Sequence, residues 1–195
     1  MTTLKKLEEL IYHGFKETDK KFQDTDRKFQ ENVAQFKETD IKLREWGKQL
    51  SGITDSLGLF AESAVKPAAG PLFAERGIKL NEFHSRVWYR HGSRMMEVDV
   101  LGLGPQHVVV VEVKLRLRQQ DINVLLEKLS RFLEFFERYR SLTLYGAVAG
   151  MSIDQGIDRY AYQQGLFVLA QSGENLNLLN DENFVPRAYR FGVNT

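Results

Sequence analysis

Residues 108–111 are four consecutive valines, and the run continues directly into Glu112-Val113-Lys114. β-branched residues in series read as a buried strand. A carboxylate and an ammonium group at its end are costly to bury unless they are paired or bind a metal. Side chains alternate across a sheet, which places Val108, Val110, Glu112 and Lys114 on one face and Val109, Val111, Val113 and Leu115 on the other.

The preceding run contains Glu97-Val98-Asp99 and ends in a turn at Gly102-Leu103-Gly104-Pro105. By alternation, Glu97, Asp99 and Leu101 lie together, opposite Met96, Val98 and Val100. If the two runs pair as a hairpin, Asp99 and Glu112 converge on one face. Carboxylates that close repel each other unless a cation sits between them. Oxygen ligands suit Mg2+ or Mn2+, and the Val113 carbonyl is a further oxygen. Lys114 is then aimed at whatever the cation activates.

This pattern resembles the PD-(D/E)XK nuclease superfamily, in which an acid on one strand is followed by Glu-x-Lys on the next. Asp99 matches the first acid, Glu112 the second and Lys114 the lysine, with residues 100–111 between the acids. Glu62, in Leu59-Phe60-Ala61-Glu62-Ser63-Ala64-Val65, matches the glutamate that the superfamily often adds from the helix before the sheet. Val98 stands where the superfamily's proline is often found. The resemblance implies a restriction-endonuclease-like α/β core of order αβββαβ with a mixed sheet. It also implies metal-dependent hydrolysis of phosphodiester bonds in DNA or RNA. The bland reading is a structural ion-pair cluster of Asp99, Glu112 and Lys114 at a sheet edge.

With 43% apolar residues and 27% charged ones, the 195-residue chain has enough apolar material for a core. The formal net charge is only +1, so no bulk basic field advertises nucleic acid. Local contacts have to supply it, and Arg86, Arg90, Arg94, Lys114, Arg116 and Arg118 at the proposed site are the candidates. Gln120 is a further candidate, since some relatives use a glutamine near the start of that helix. There is no cysteine, which excludes disulfides and thiolate metal sites. The four histidines, at 13, 84, 91 and 107, show no metal-ligand spacing. No apolar segment is signal-like or long enough to span a bilayer, so the expectation is a cytoplasmic protein with no membrane partner.

The first fifty residues form a separate device. Phe15, Phe22, Phe29 and Phe36 recur every seven residues and are continued by Leu43 and Leu50. Thr18, Thr25, Asn32 and Thr39 lie three positions later. A strict seven-residue step implies a left-handed coiled coil, and one narrow stripe cannot bury its phenylalanines alone. Residues 1–53 are therefore read as a parallel oligomerisation helix, with a dimer as the default. Gly47, Ser51 and Gly52 weaken the helix, and Thr54 or Asp55 is placed to cap a new one.

Residues 54–195 are assigned to the nuclease-like domain. Leu57–Lys66 reads as a helix stopped before Pro67, and Pro71–Arg76 as a second short one. A strand over Phe83–Arg90 and the two motif strands follow. Then come an amphipathic helix over Gln119–Arg140, a strand over Leu142–Ala149, a helix over Gln155–Gln164 and a last strand over Leu166–Ala170. A phenylalanine-heptad helix joined to a compact core of this kind is similar to the uncharacterised bacterial DUF3782-type proteins. The alternative from another class is a catalytically inactive nucleic-acid-binding or assembly protein on the same fold.

Overall fold

The computed structural model describes residues 3–173 and 175–192. Residues 1, 2, 174 and 193–195, which belong to the two ranges assigned above, lie outside the described residues. The chain divides into two units, one ending at Ile53 and the other beginning at Thr54.

Helix α1 (Thr3–Ala74) runs through every position expected to interrupt it. Gly47, Ser51 and Gly52 are helical, the helix does not restart at Thr54 or Asp55, and Pro67 and Pro71 lie inside it. The reason is packing in the second unit. Ala61, Val65, Ala69 and Phe73 recur every four residues and are buried, whereas both prolines are on the exposed side. An interior proline costs about 3 kcal/mol. Burying a side chain such as Val65 or Phe73 contributes about 1.5–3 kcal/mol. The buried stripe carries the helix past both prolines, and no separate Pro71–Arg76 helix exists.

Within the first unit, Phe15, Phe22, Phe29 and Phe36 are 65–75% exposed, and Leu43, Trp46, Leu50 and Ile53 are exposed as well. The hydroxyls of Thr18, Thr25 and Thr39 each donate to the carbonyl four residues earlier, on Gly14, Lys21 and Gln35, at 2.8 Å.

The second unit is α/β. Its strands are β1 (Glu82–His91), β2 (Arg94–Leu103), β3 (His107–Leu117), β4 (Thr143–Ile153), β5 (Phe167–Ser172) and β6 (Asn175–Leu178). Helix α2 (Gln119–Phe135) links β3 to β4, and α3 (Ile157–Gln163) links β4 to β5. The six strands form one mixed sheet in chain order. β1, β2 and β3 are antiparallel, β3, β4 and β5 parallel, and β6 is antiparallel to β5. Both parallel crossovers advance the same way across the sheet, so their common right hand puts α2 and α3 on one face.

Two apolar layers result. Ile122, Leu125, Leu129 and Phe132 of α2 pack with Val108, Val110, Val148 and Val168. The α1 stripe packs with Val109, Val111, Ala147 and Leu169 on the other face. Gly146 seats α2 on the sheet, since a Cβ there would lie 2.3 Å from Leu129 Cδ1. At the β2–β3 turn, a Cβ on Gly104 would lie 1.9 Å from the Lys79 carbonyl oxygen, so close approach of the backbone is what requires glycine. α2 ends at Phe135, short of the expected Arg140, and a 3-10 turn over Glu137–Tyr139 follows. β6 lies outside the expected elements. Among the described residues, no helix is long and apolar enough to cross a membrane.

Candidate functional site

The β2–β3 ladder runs from Leu103 opposite Val108 to Val100 opposite Val111. The next step in that register sets Asp99 opposite Glu112, and there the backbone pairing stops. Across β2 on the other side lies Arg86, between the pairs Ser85–Val100 and Val87–Val98. It is the one non-glycine with positive φ among the described residues, at 51°. Such a conformation costs about 1–2 kcal/mol for an L-residue with a side chain.

The bend turns both strands over. Phe83 and Val100 pack in the α1 layer, whereas Val87 and Val98 pack in the α2 layer. Leu101 therefore joins Met96 and Val98, and the simple alternation expected along residues 96–101 fails at Asp99. Freed from that alternation, the Asp99 carboxylate reaches β3, where Oδ2 accepts the Val113 N–H at 2.8 Å. A side-chain oxygen thus substitutes for the strand carbonyl that the interrupted ladder lacks. In an extended strand a residue's N–H and C=O point to the same neighbour, so the Val113 carbonyl faces the same gap.

Glu112 is the most enclosed charge here, with its side chain 4% exposed. Lys114 Nζ donates to Oε1 and Lys128 Nζ to Oε2, each at 2.6 Å. Lys114 Nζ also lies 3.7 Å from Asp99 Oδ2. Two carboxylates and two ammonium groups leave this quartet formally neutral. Burial, and then the charge of Glu112, push the Asp99 carboxyl above its ordinary range, against the Val113 hydrogen bond and the two lysines. Burial works against the Lys114 ammonium, but its bond to Glu112 and the attraction of both acids hold its pKa above the usual lysine value.

The structure thus brings together Asp99, Glu112, Val113 and Lys114, and it adds Lys128. It does not bring Glu62 to them. The Glu62 carboxylate instead accepts the Arg86 Nε–H, with its oxygens at 3.3 and 3.2 Å. In this structure the partner of Glu62 is Arg86, the residue at the strand bend. Among the described residues, no three or more His, Asp or Glu side chains are gathered as a metal-ligand set. Lys128 was legible only as a cation at the edge of the α2 stripe, between Leu125 and Leu129; nothing in the local pattern points it at Glu112.

The arginines nominated for nucleic acid are largely engaged. Arg86 is held by Glu62, and Arg116 Nε donates to Asp154 Oδ1 at 2.6 Å. Arg94 sits over the Phe135 ring at 5.4 Å. Arg118 precedes α2, where its backbone N–H donates to Asp121 at 2.8 Å, and its side chain, like that of Gln120, is exposed.

No family model and no curated protein matches the chain. A solved structure described as protein of unknown function AF1548 is similar over 60% of this chain, at 15% identity and a TM-score of 0.38. This chain spans 58% of that one's length, and no functional conclusion follows from so loose a likeness.

In kind, the donors suit a hard divalent cation: two carboxylates and a backbone carbonyl facing one gap. In number they leave half of a six-coordinate shell to water or substrate, as Mg2+ commonly does. In this state a lysine bonds each Glu112 oxygen, so an incoming cation competes with two ammonium groups for the same carboxylate.

Proposed function

We propose that this protein is a metal-dependent nuclease of the PD-(D/E)XK, restriction-endonuclease-like kind, hydrolysing phosphodiester bonds of nucleic acid, with DNA the favoured substrate. The observation that carries the reading is the position of Lys114, bonded to Glu112 and beside Asp99, where the β2–β3 ladder opens. A purely structural pair needs one cation at one carboxylate. Here two acids share a gap with a backbone carbonyl, and strained backbone at Arg86 accompanies the arrangement, as it often does at functional sites.

Asp99, Glu112 and the Val113 carbonyl would hold Mg2+ or Mn2+. When bound, such an ion supplies a Lewis acid for the phosphate and lowers the pKa of water. Lys114 orients the attacking water and stabilises the charge that develops on the phosphate oxygens in the transition state, as a compact ammonium is suited to do. The exposed phenylalanine stripe supports self-association of α1 as a parallel coiled coil. Its interleaved threonines already satisfy their hydroxyls within the helix, so burial at a seam leaves no orphan donor. A dimer would present two sites per particle.

The test is cleavage of labelled single-stranded, duplex and branched DNA, and of RNA, with Mn2+ present. Lys114→Ala should remove most hydrolysis, at least a hundredfold, while fold and metal binding persist. Unchanged cleavage by that variant sinks the assignment. One observation favours a second reading, a nucleic-acid-binding or assembly protein without turnover: both Glu112 oxygens are already neutralised by lysines. Binding of DNA by the unmodified protein, with no cleavage of any substrate, selects it.

A further inference from the structure

A cleft of about 520 Å³ lies between β2 and α2, lined among others by Arg94, Glu97, Lys128, Arg131 and Phe135. Lys128 belongs to both places. Its ammonium bonds Glu112 at 2.6 Å, its side chain is 23% exposed, and its chain also forms part of the cleft wall. The guanidinium groups of Arg94 and Arg131 lie over the Phe135 ring at 5.4 and 5.6 Å. The acid partner of Arg131 is Glu127, exposed and at 3.8 Å, a surface pair of little strength. The wall thus carries three cations, Arg94, Arg131 and Lys128, against the two carboxylates of Glu97 and Glu127, and Lys128 is the one that reaches the candidate site.

We propose that this β2–α2 cleft takes a single nucleic-acid strand, and that Lys128 passes from Glu112 to a backbone phosphate of that strand when a divalent cation engages Glu112. The proposal rests on the phosphodiesterase reading and adds to it the strand's path and a second phosphate contact. Charge balance drives the exchange. Lys114 and Lys128 neutralise Asp99 and Glu112 in the resting quartet, and a dication at the carboxylates makes both ammonium groups surplus. Lys114 stays beside the acids on β3, whereas Lys128 is carried on α2 at the inner end of the cleft. Arg94 and Arg131, planar and always charged, suit phosphate oxygens further out.

Two measurements on the full chain test this. The first is a calorimetric Mn2+ titration without nucleic acid. Lys128→Met should bind Mn2+ about tenfold more tightly than the unmodified protein, because a charge-assisted competitor for Glu112 is gone; Lys128→Arg should stay near the unmodified value. The second is binding of a labelled oligodeoxythymidylate at saturating Mn2+, which should weaken about tenfold in Lys128→Met and be restored by Lys128→Arg. Arg131→Gln, which removes the guanidinium without placing a new acid beside Lys128, should weaken strand binding about tenfold and leave Mn2+ affinity unchanged, so the test survives a Lys128 variant that fails to fold. Unchanged or weaker Mn2+ binding by a folded Lys128→Met, or strand binding indifferent to Lys128 and Arg131, overturns the proposal. If the unmodified protein binds no Mn2+, this proposal and the nuclease reading fall together. If the variants behave as expected but no substrate is cleaved, only turnover is lost.

Discussion

Asp99 bears the cost of the arrangement at the strand opening. Its carboxyl is raised above the ordinary range by burial and by Glu112, so ionising it is harder in the folded chain than in the unfolded one. Below the ordinary carboxylate pKa both states are protonated and no penalty exists. The penalty develops as pH rises from the ordinary value toward the folded one and is complete above the folded one. Asp99→Asn should therefore raise the melting temperature in chelator at pH 7, with the gain shrinking toward pH 3, while abolishing any Mn2+-induced rise; calorimetric scans across pH check both. Glu62 supplies the contrast. Glu62→Gln should leave Mn2+ affinity unchanged and cost about 1 kcal/mol in urea unfolding, since its half-exposed partner Arg86 is partly solvated either way; a loss of Mn2+ binding would return Glu62 to the acid cluster. Glu112 and Lys114 were legible because alternation sets them on one strand face, and Asp99 because the hairpin register sets it opposite Glu112; the break in alternation that brings its carboxylate to Val113 was not. Lys128 and the Glu62–Arg86 pair were not, because each depends on a helix crossing the sheet at a particular height, which no local spacing encodes.

At the scale of elements, β1 to β5 and α2 followed from hydrophobic periodicity whereas β6 did not, and the misreadings have physical causes. Pro67 reads as a stop, yet the Ala61–Phe73 stripe buries enough apolar surface to hold the helix past it. Pro67→Ala should accordingly stabilise the chain by about 2–2.5 kcal/mol, the helix-propensity gain less the lost restriction of the unfolded chain. Equilibrium urea unfolding measures it, and a destabilised variant would show that the proline shapes the packing of α1. The turn-over of β1 and β2 was equally hidden. Residues 96–101 carry apolar side chains on both parities, so the pattern is compatible with either phase, and only the αL conformation of Arg86 decides where the phase changes.

For the whole molecule, the seven-residue step in α1 was legible because repetition needs no tertiary information, whereas the number of chains that a coiled coil of it would gather is not written in aromatic and threonine positions. Sedimentation of the full chain against a chain beginning at Asp55 should give an oligomer for the first and a monomer for the second; equal numbers of chains per particle would refute assembly through residues 1–53. The neutral quartet has a further consequence at this scale. A chain of formal net charge +1 exerts almost no long-range pull on a polyanion. On the proposed loading, each site gains two positive charges, and every copy held by α1 gains them as well. Capture of nucleic acid then becomes a question of rate: encounters are slow and undirected while the site is empty, and loading both speeds them and steepens their dependence on salt.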